Sequence, residues 1–255
     1  MEDLQKLRQV WHQLGSEDPF WAVASQDDKR GGKWKPEEFF ATGETEVGHL
    51  HELLKLKAAA PARFQHVLDF GSGLGRLSYA WSRRAEKVTG VDISASMIEK
   101  ARTFSILGKN VSFILNEKDN LDQIPSSQFD LIASLICLQH IPWLIARNYV
   151  ADFGRLAVAG GLVAFQLPTR ELRRDKKVEF KRRLVDAMPF GLGRKYRKWK
   201  NGSSVVFSVY CTPVEKILEV AKVAGLQLIH QEPDQAAGAD IESFCFVFRK
   251  QSPGK

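Results

Sequence analysis

An apolar run, Val67-Leu68-Asp69-Phe70, leads into Gly71-Ser72-Gly73-Leu74-Gly75, three glycines within five residues, and then into Arg76. Glycine permits a tight turn and lets a ligand come against bare backbone N–H groups at the start of the next helix. A second apolar stretch, Val88-Thr89-Gly90-Val91, ends in Asp92, 17 residues after Gly75. A carboxylate at such a strand end accepts hydrogen bonds from both hydroxyls of a ribose. The alternative role for Asp92 is to cap the following helix, a task Ser94 can also perform. Taken together, loop and acid describe a nucleoside cofactor site. The spacing is G-x-G-x-G, with Arg76 where the dinucleotide fingerprint G-x-G-x-x-G has its last glycine. Asp69 beside the loop repels a pyrophosphate but suits an amine-bearing cation. These residues point to S-adenosylmethionine rather than NAD.

Further candidates follow the apolar run Phe129–Ser134. His140 carries an imidazole that titrates near neutrality and is the candidate catalytic base. Its alternative role is to brace the loop through a backbone hydrogen bond. Gln139 is a candidate for orienting a substrate. Cys137, in apolar surroundings, reads as a packed thiol rather than a nucleophile. His49 and His51 flank a helix face and are expected to be exposed. The three cysteines, Cys137, Cys211 and Cys245, form no C-x-x-C pair and no zinc-spaced cluster, so no metal site is expected.

The elements that must position these groups alternate. Strands are predicted at His66–Phe70, Lys87–Val91, Val111–Leu115, Phe129–Ser134 and Gly161–Gln166. Helices are predicted around Arg76–Arg84, Ala95–Leu107 and Leu144–Ala157. Continuous apolar strands alternating with helices mean an α/β fold with a parallel sheet covered on both faces. Beyond it, Pro213–Ala224 reads as a helix, and Leu226–Ile229 and Ser243–Arg249 as strands in a hairpin-like antiparallel return. Ahead of it, residues 1–14 read as an amphipathic helix with Leu4, Leu7, Val10, Trp11 and Leu14 on one face. The aromatics Phe20, Trp21, Phe39 and Phe40 follow and are expected to form a lid. A further helix is expected to start at Thr42 or Gly43.

The chain has 255 residues, 26% of them charged, and a net charge of +7. Thirteen of the 37 Lys/Arg residues, against four acids, lie between Arg170 and Lys200. The basic character therefore belongs to one segment. Its Arg194-Lys195-Tyr196-Arg197-Lys198-Trp199-Lys200 stretch interleaves aromatics with bases, as nucleic-acid or phosphosugar contacts do. That segment is expected over the acceptor pocket, favouring an anionic partner. No apolar run reaches the ~18 residues of a membrane span, and the absence of a signal core leads to the expectation of a cytoplasmic protein.

These motifs resemble those of class I S-adenosylmethionine-dependent methyltransferases, particularly methyltransferase-domain relatives acting on small molecules and glycan-like hydroxyls. Asp69 to Gly75 is similar to the family's first motif, and Gly90-Val91-Asp92-Ile93-Ser94 to its ribose-binding strand end. Asn116-Glu117-Lys118-Asp119-Asn120-Leu121 resembles the adenine-side turn, and Phe129–Ser134 with Leu138-Gln139-His140-Ile141-Pro142 the fourth strand and its loop. Gly160-Gly161-Leu162-Val163 resembles the fifth. The resemblance implies a Rossmann-like, doubly wound seven-stranded sheet whose last strand is antiparallel. It implies that Gly71 and Gly73 shape the methionine-side loop, that Asp69 sits near the amino group, and that Asp92 binds the ribose. Ile93 and Met97 would flank the adenine, with one of Asn116, Glu117 or Lys118 contacting it. The Asn/Asp-Pro-Pro-aromatic signature of nucleic-acid amino methyltransferases is replaced by Ser134-Leu135-Ile136-Cys137. The expected organisation is a lid segment at 1–60, the cofactor-binding core at 61–168, the basic insert at 169–212 and the completing helix and strands at 213–250. The leading expectation is methyl transfer to a small-molecule or sugar-type acceptor, at oxygen rather than nitrogen. An RNA-directed enzyme and a catalytically inactive cofactor-binding scaffold are the alternatives. Oligomeric state and the identity of the acceptor stay open.

Overall fold

A computed structural model describes residues 2–172 and 208–252. The basic stretch from Arg173 onward, with its aromatic-interleaved end, lies outside the described residues.

Seven strands form one sheet: β1 (Phe64–Phe70), β2 (Ala85–Asp92), β3 (Val111–Leu115), β4 (Phe129–Ser134), β5 (Ala157–Glu171), β6 (Leu226–Asp234) and β7 (Ile241–Lys250). Their order is β3-β2-β1-β4-β5-β7-β6. The pairs among β1 to β5 are parallel, and β7 runs antiparallel to both β5 and β6. Strand–helix alternation predicts the parallel part, and the doubly wound seven-stranded sheet with an antiparallel last strand is the one that the resemblance implies. Chain order reverses between β1 and β4, which leaves a crevice at their carboxyl ends where such sheets take ligands.

Alternation within the strands builds two cores. Leu68, Ile132, Val163, Phe165, Phe246 and Phe248 face α6 (Trp143–Leu156) and α7 (Val214–Val223). Val67, Leu131, Leu162, Ala164 and Val247 face α3 (Pro36–Ala58) and α4 (Arg76–Ser82). Strands buried on both faces carry consecutive apolar residues, as at Val67-Leu68 of β1, Leu131-Ile132-Ala133 of β4 and Leu162-Val163-Ala164-Phe165 of β5. The N-terminal segment closes a third cluster, in which Phe39, Phe40, Trp34 and Leu14 surround Leu74 and Met97.

Several boundaries differ from the sequence expectation. The second long helix, α3, starts at Pro36 rather than at Thr42 or Gly43, with proline in its first turn followed by Glu37 and Glu38. Proline is preorganised for that position, and acids there oppose the helix dipole favourably. Helix α5 spans Ala95–Ala101 and does not continue to Leu107. The Thr103 hydroxyl donates to the Lys100 carbonyl at 2.7 Å, and Phe104 turns to meet Phe40 with ring centroids 5.4 Å apart. Strand β5 extends past Gln166 to Glu171 because β7 continues to pair with it there. His51 is buried rather than exposed, 2.9 Å from the Pro61 carbonyl through Nε2.

Helices α3 and α4 meet at Gly43, where a methyl group would run into the Arg76 carbonyl. Alanine normally favours a helix interior by about 1 kcal/mol over glycine. Here the overlap is with backbone, which costs roughly 1–3 kcal/mol and reverses the sign. Gly43→Ala should therefore lower the urea midpoint of unfolding, whereas a rise would mean that the two helices can separate freely.

Candidate functional site

The crevice between β1 and β4 opens into a cavity of about 410 Å³. One wall is the glycine loop. Gly71 and Gly73 both have positive φ, 80° and 51°, which side-chain-bearing residues adopt reluctantly. A Cβ on Gly71 would also meet the Cys137 sulfur, and one on Gly73 would meet Val23. The glycines thus answer both backbone twist and close approach. Gly75 caps the N-terminus of α4 in the left-handed region.

Asp92 stands at the end of β2 and holds this wall in place. Its Oδ2 accepts from the Gly73 N–H at 2.7 Å and its Oδ1 from the Ser94 N–H at 2.8 Å. Burial raises its pKa, against the lowering effect of the backbone N–H groups of Ser94, Gly73 and Ile93. Capping of α5 falls to Ser94, whose hydroxyl accepts from the Met97 N–H. That frees Asp92 from the capping role and leaves it in the cavity wall beside Ile93, Met97 and Asn116.

The remaining sequence candidates separate. Asn116 is buried in the wall, while Glu117 and Lys118 do not line it. The Glu117 side chain is half exposed and pairs with Arg8 at 3.1 Å. The Lys118 ammonium pairs with Asp122 at 3.0 Å, and its carbonyl accepts from the Tyr149 hydroxyl at 2.6 Å. Asp69 lies behind the wall rather than in it. Its Oδ2 accepts from the Ser78 hydroxyl of α4 at 2.6 Å, and its Oδ1 has no hydrogen-bond partner. Burial pushes its pKa up to about 6, with the Ser78 bond and the Arg76 charge acting in the opposite direction.

The opposite wall comes from the segment after β4. Cys137, Gln139 and His140 line the cavity. Burial drives the Cys137 thiol far above its ordinary pKa, so it stays protonated and serves as packing against Gly71. His140 is buried, with Nδ1 2.8 Å from the Ser208 carbonyl and Nε2 3.2 Å from the Gln139 amide nitrogen. Burial lowers its pKa, and the Ser208 carbonyl opposes that shift. The indole of Trp11 packs on the imidazole at 5.3 Å between centroids.

Sequence reading missed the roof. Phe20, Trp21, Phe39 and Phe40 do not line the cavity; Phe39 and Phe40 are buried in the third cluster. Leu7 and Trp11 of α1 (Glu2–Glu17), the 22–26 stretch, Thr42 and Glu46 line it instead. Arg76 joins them, buried and held two-pronged by Glu46 at 2.8 Å on each arm. A cation in the first turn of a helix opposes the helix dipole, and that anomaly is the signal by which Arg76 was legible.

Ionisation of Asp69 carries a stability consequence. Its folded pKa of about 6 lies above the ordinary 3.8, so its burial cost is fully present above pH 6 and vanishes as pH falls toward 4. Asp69→Asn removes that dependence. The stability of the variant relative to the native protein should therefore decrease by about 1–3 kcal/mol between pH 8 and pH 4. Urea unfolding at the two pH values measures it, and a pH-independent difference would place the carboxyl in a solvated setting.

Residues 67–161 match the family model described as "Methyltransferase domain". Among curated proteins, the ubiquinone biosynthesis O-methyltransferase of Nitrosococcus oceani is 30% identical over 107 residues, covering 42% of this chain and 44% of that one. The malonyl-[acyl-carrier protein] O-methyltransferase of Enterobacter lignolyticus is 34% identical over 113 residues, covering 43% and 42%. The chain thus spans less than half the length of these curated relatives. Among solved structures, the magnesium protoporphyrin IX methyltransferase of Synechocystis with bound S-adenosylhomocysteine superposes with a TM-score of 0.65 at 16% identity, over 98% of this chain and 100% of that one. The N-methyltransferase NodS of Bradyrhizobium japonicum gives 0.60 at 14% identity, over 96% and 99%. At these identities the structural likeness speaks for the fold, and the matched domain speaks for descent. Residues 67–161, which hold the glycine loop and the acid-tipped β2, thus match a methyltransferase domain, and the seven-stranded sheet around them has the fold of these methyltransferase structures.

Proposed function

We propose that the chain binds S-adenosylmethionine in the cavity between β1 and β4 and methylates a small-molecule or sugar-type acceptor, at oxygen rather than nitrogen. The observation that carries this reading is the Asp92 carboxylate in the wall of a cavity whose other side presents His140. The residues present fit the cofactor. Ser72 Oγ, within the glycine turn and in the cavity lining, and Asp69 Oδ1, just before the turn and behind that lining, are buried with no hydrogen-bond partner among the described residues, and such atoms cost about 1–3 kcal/mol until one is supplied. A ligand with an ammonium and a carboxylate offers partners to groups of this kind. Asp92 spends one lone pair of each oxygen on a backbone N–H, which leaves acceptor capacity for a ribose.

When bound, S-adenosylmethionine supplies an electrophilic methyl group on a sulfonium. The protein's part is to orient, to exclude water and to accept a proton. Trp11, Val23 and the backbone around Ala24 cover the site from the N-terminal side. His140, neutral and buried, is the group in the opposite wall suited to take a proton from a hydroxyl. An amine acceptor needs no such base once deprotonated, so the histidine supports oxygen. Both curated relatives described above are named as O-methyltransferases.

The direct test is incubation of the protein and cell extract with donor carrying an isotopically labelled methyl group. Label is expected in metabolites or glycans. Label in RNA would replace this reading with the RNA-directed one, and cofactor binding without any transfer would leave a scaffold. Asp92→Ala should weaken S-adenosylmethionine binding by about 1.5–3 kcal/mol, the scale of hydrogen bonds to a charged group, in a chain that still folds. Calorimetric titration with unchanged affinity would remove the ribose assignment. His140→Ala should lower kcat by about 10²–10⁴-fold while cofactor affinity stays near native. The acid limb of native kcat/KM should fall below the ordinary histidine value of 6.5, since burial lowers this imidazole's pKa. Full activity in the alanine variant would reduce His140 to a brace.

A further inference from the structure

Behind His140 lies a line of buried amides whose direction is fixed at both ends. The Ile136 N–H donates to Gln166 Oε1 at 3.2 Å. A backbone N–H can only donate, so the oxygen of the Gln166 amide must face it, whichever way the amide is first drawn. The Gln166 nitrogen then points the other way, donating to Ser243 Oγ at 2.6 Å and to Gln139 Oε1 at 3.2 Å. With its oxygen so engaged, Gln139 turns its own nitrogen toward His140 Nε2, 3.2 Å away. At the far end the Ser208 carbonyl can only accept, so the proton of the ring sits on Nδ1. Nε2 is left as the acceptor.

We propose that Gln166 and Gln139 are positioning residues that transmit the polarity of the Ile136 N–H to His140, fixing the imidazole as the neutral Nδ1–H tautomer with Nε2 as its acceptor nitrogen. A proton on Nε2 sets donor against donor at Gln139. Turning that amide over moves the conflict to Gln166, and turning both moves it to Ile136, where it cannot be relieved. Between its ends the chain is buried: Gln166 and Ser243 lie within the β5–β7 pair, and Gln139 and His140 on the short 3-10 turn after β4. Its first residue is strained. Ile136 has φ of 58°, an unfavourable region for a β-branched side chain, and such outliers persist where surrounding structure holds them for a purpose.

This inference deepens the reading of His140 as the base and rests on it for its catalytic meaning. A hydroxyl that takes the place of the 3.2 Å Gln139 contact meets a nitrogen already carrying a lone pair. No charged neighbour is needed. Among the described residues, Glu46, Arg76, Asp92, Cys137 and Tyr149 are the other titratable groups of the cavity wall, and burial and the Ser208 carbonyl are the influences on the imidazole.

The test reverses the chain. In Gln166→Glu the carboxylate accepts from Ile136, Ser243 and Gln139 alike, so the Gln139 amide turns its oxygen to Nε2 and draws a proton there. Nitrogen-15 NMR of the histidine rings, with the His140 signals assigned by their loss in His140→Ala, reads the outcome without donor or acceptor present. The native protein should show Nδ1 protonated and Nε2 bare at neutral pH, and Gln166→Glu should show both nitrogens protonated. At pH 7 its kcat should fall by about tenfold or more, with cofactor affinity spared and the acid limb of kcat moved to higher pH. Gln139→Glu presents the same acceptor directly to Nε2 and should do the same, which keeps the test open if Gln166→Glu does not fold. A native Nε2–H tautomer, or two folded variants with the native ring signals, overturns the proposal. Ring signals as expected together with full activity in His140→Ala would instead leave the chain standing and remove the base.

Discussion

The Asp92 carboxylate receives two backbone N–H groups, one from the glycine turn after β1 and one from the start of α5. Both are donors that the sheet does not satisfy, because β1 and β2 end there. A buried donor without an acceptor costs about 1–3 kcal/mol, so a carboxylate at this point makes the turn affordable for the fold before any ligand arrives. The turn in turn sets everything around it. Gly71 must lie against Cys137, Gly73 against Val23, and Gly75 must start α4. The reversal of strand order between β1 and β4 supplies the crevice, and the doubly bonded acid supplies the shape of its rim.

Ser94 extends that arrangement to the N-terminal helix. Its N–H belongs to Asp92, while its hydroxyl donates to the Trp11 carbonyl at 3.1 Å. Ser96 donates to the His12 carbonyl at 2.9 Å, and the Lys100 ammonium to the Gly15 carbonyl at 2.7 Å. Carbonyls in the second half of α1 are thus tied to α5 by three side chains, and a side chain at Gly15 would collide with Ser96. Trp11 consequently reaches His140 from an element anchored at the Asp92 side of the cavity. The two walls share a frame although they come from opposite halves of the sheet.

Much of this was legible in the sequence, for definite reasons. Glycines and an acid at strand ends leave local signatures, so the turn, Asp92 and the two strands that lead to them could be read from Val67 to Gly75 and from Val88 to Asp92. The five parallel strands announce themselves as unbroken apolar runs. Contacts between segments distant in sequence leave no such mark. Nothing in Trp11 announces that it faces His140, and nothing in Glu46 announces Arg76, because each is one of several like residues on an amphipathic helix. The aromatic lid failed for the same reason: Phe39 and Phe40 are apolar enough to cover a ligand or to pack a core, and they pack the core with Leu74 and Met97. Gln166 reads in sequence as the end of a strand. Only the pairing of β5 with β7 places it at the centre, fully buried beside Ser243.

The polar groups singled out on the two walls differ in how they are satisfied. On the acceptor side, Ile136, Gln166, Gln139 and His140 satisfy one another in sequence from a fixed donor to a fixed acceptor. Groups so arranged are rigid and need no ligand to define them. On the donor side, Asp69 Oδ1 and Ser72 Oγ are buried without partners, and Asp69 holds its charge against burial only above a pKa of about 6. Of the two, Ser72 lines the cavity, so its hydroxyl is the group that a ligand can complete. A ligand that completes it recovers the deficit as binding energy, whereas one that met an already satisfied wall could gain little. The division suits the two partners of a group transfer. Under the proposed methyl transfer, a tightly held donor would benefit from a wall that is costly to leave bare, and the acceptor from an imidazole whose tautomer is settled before it arrives.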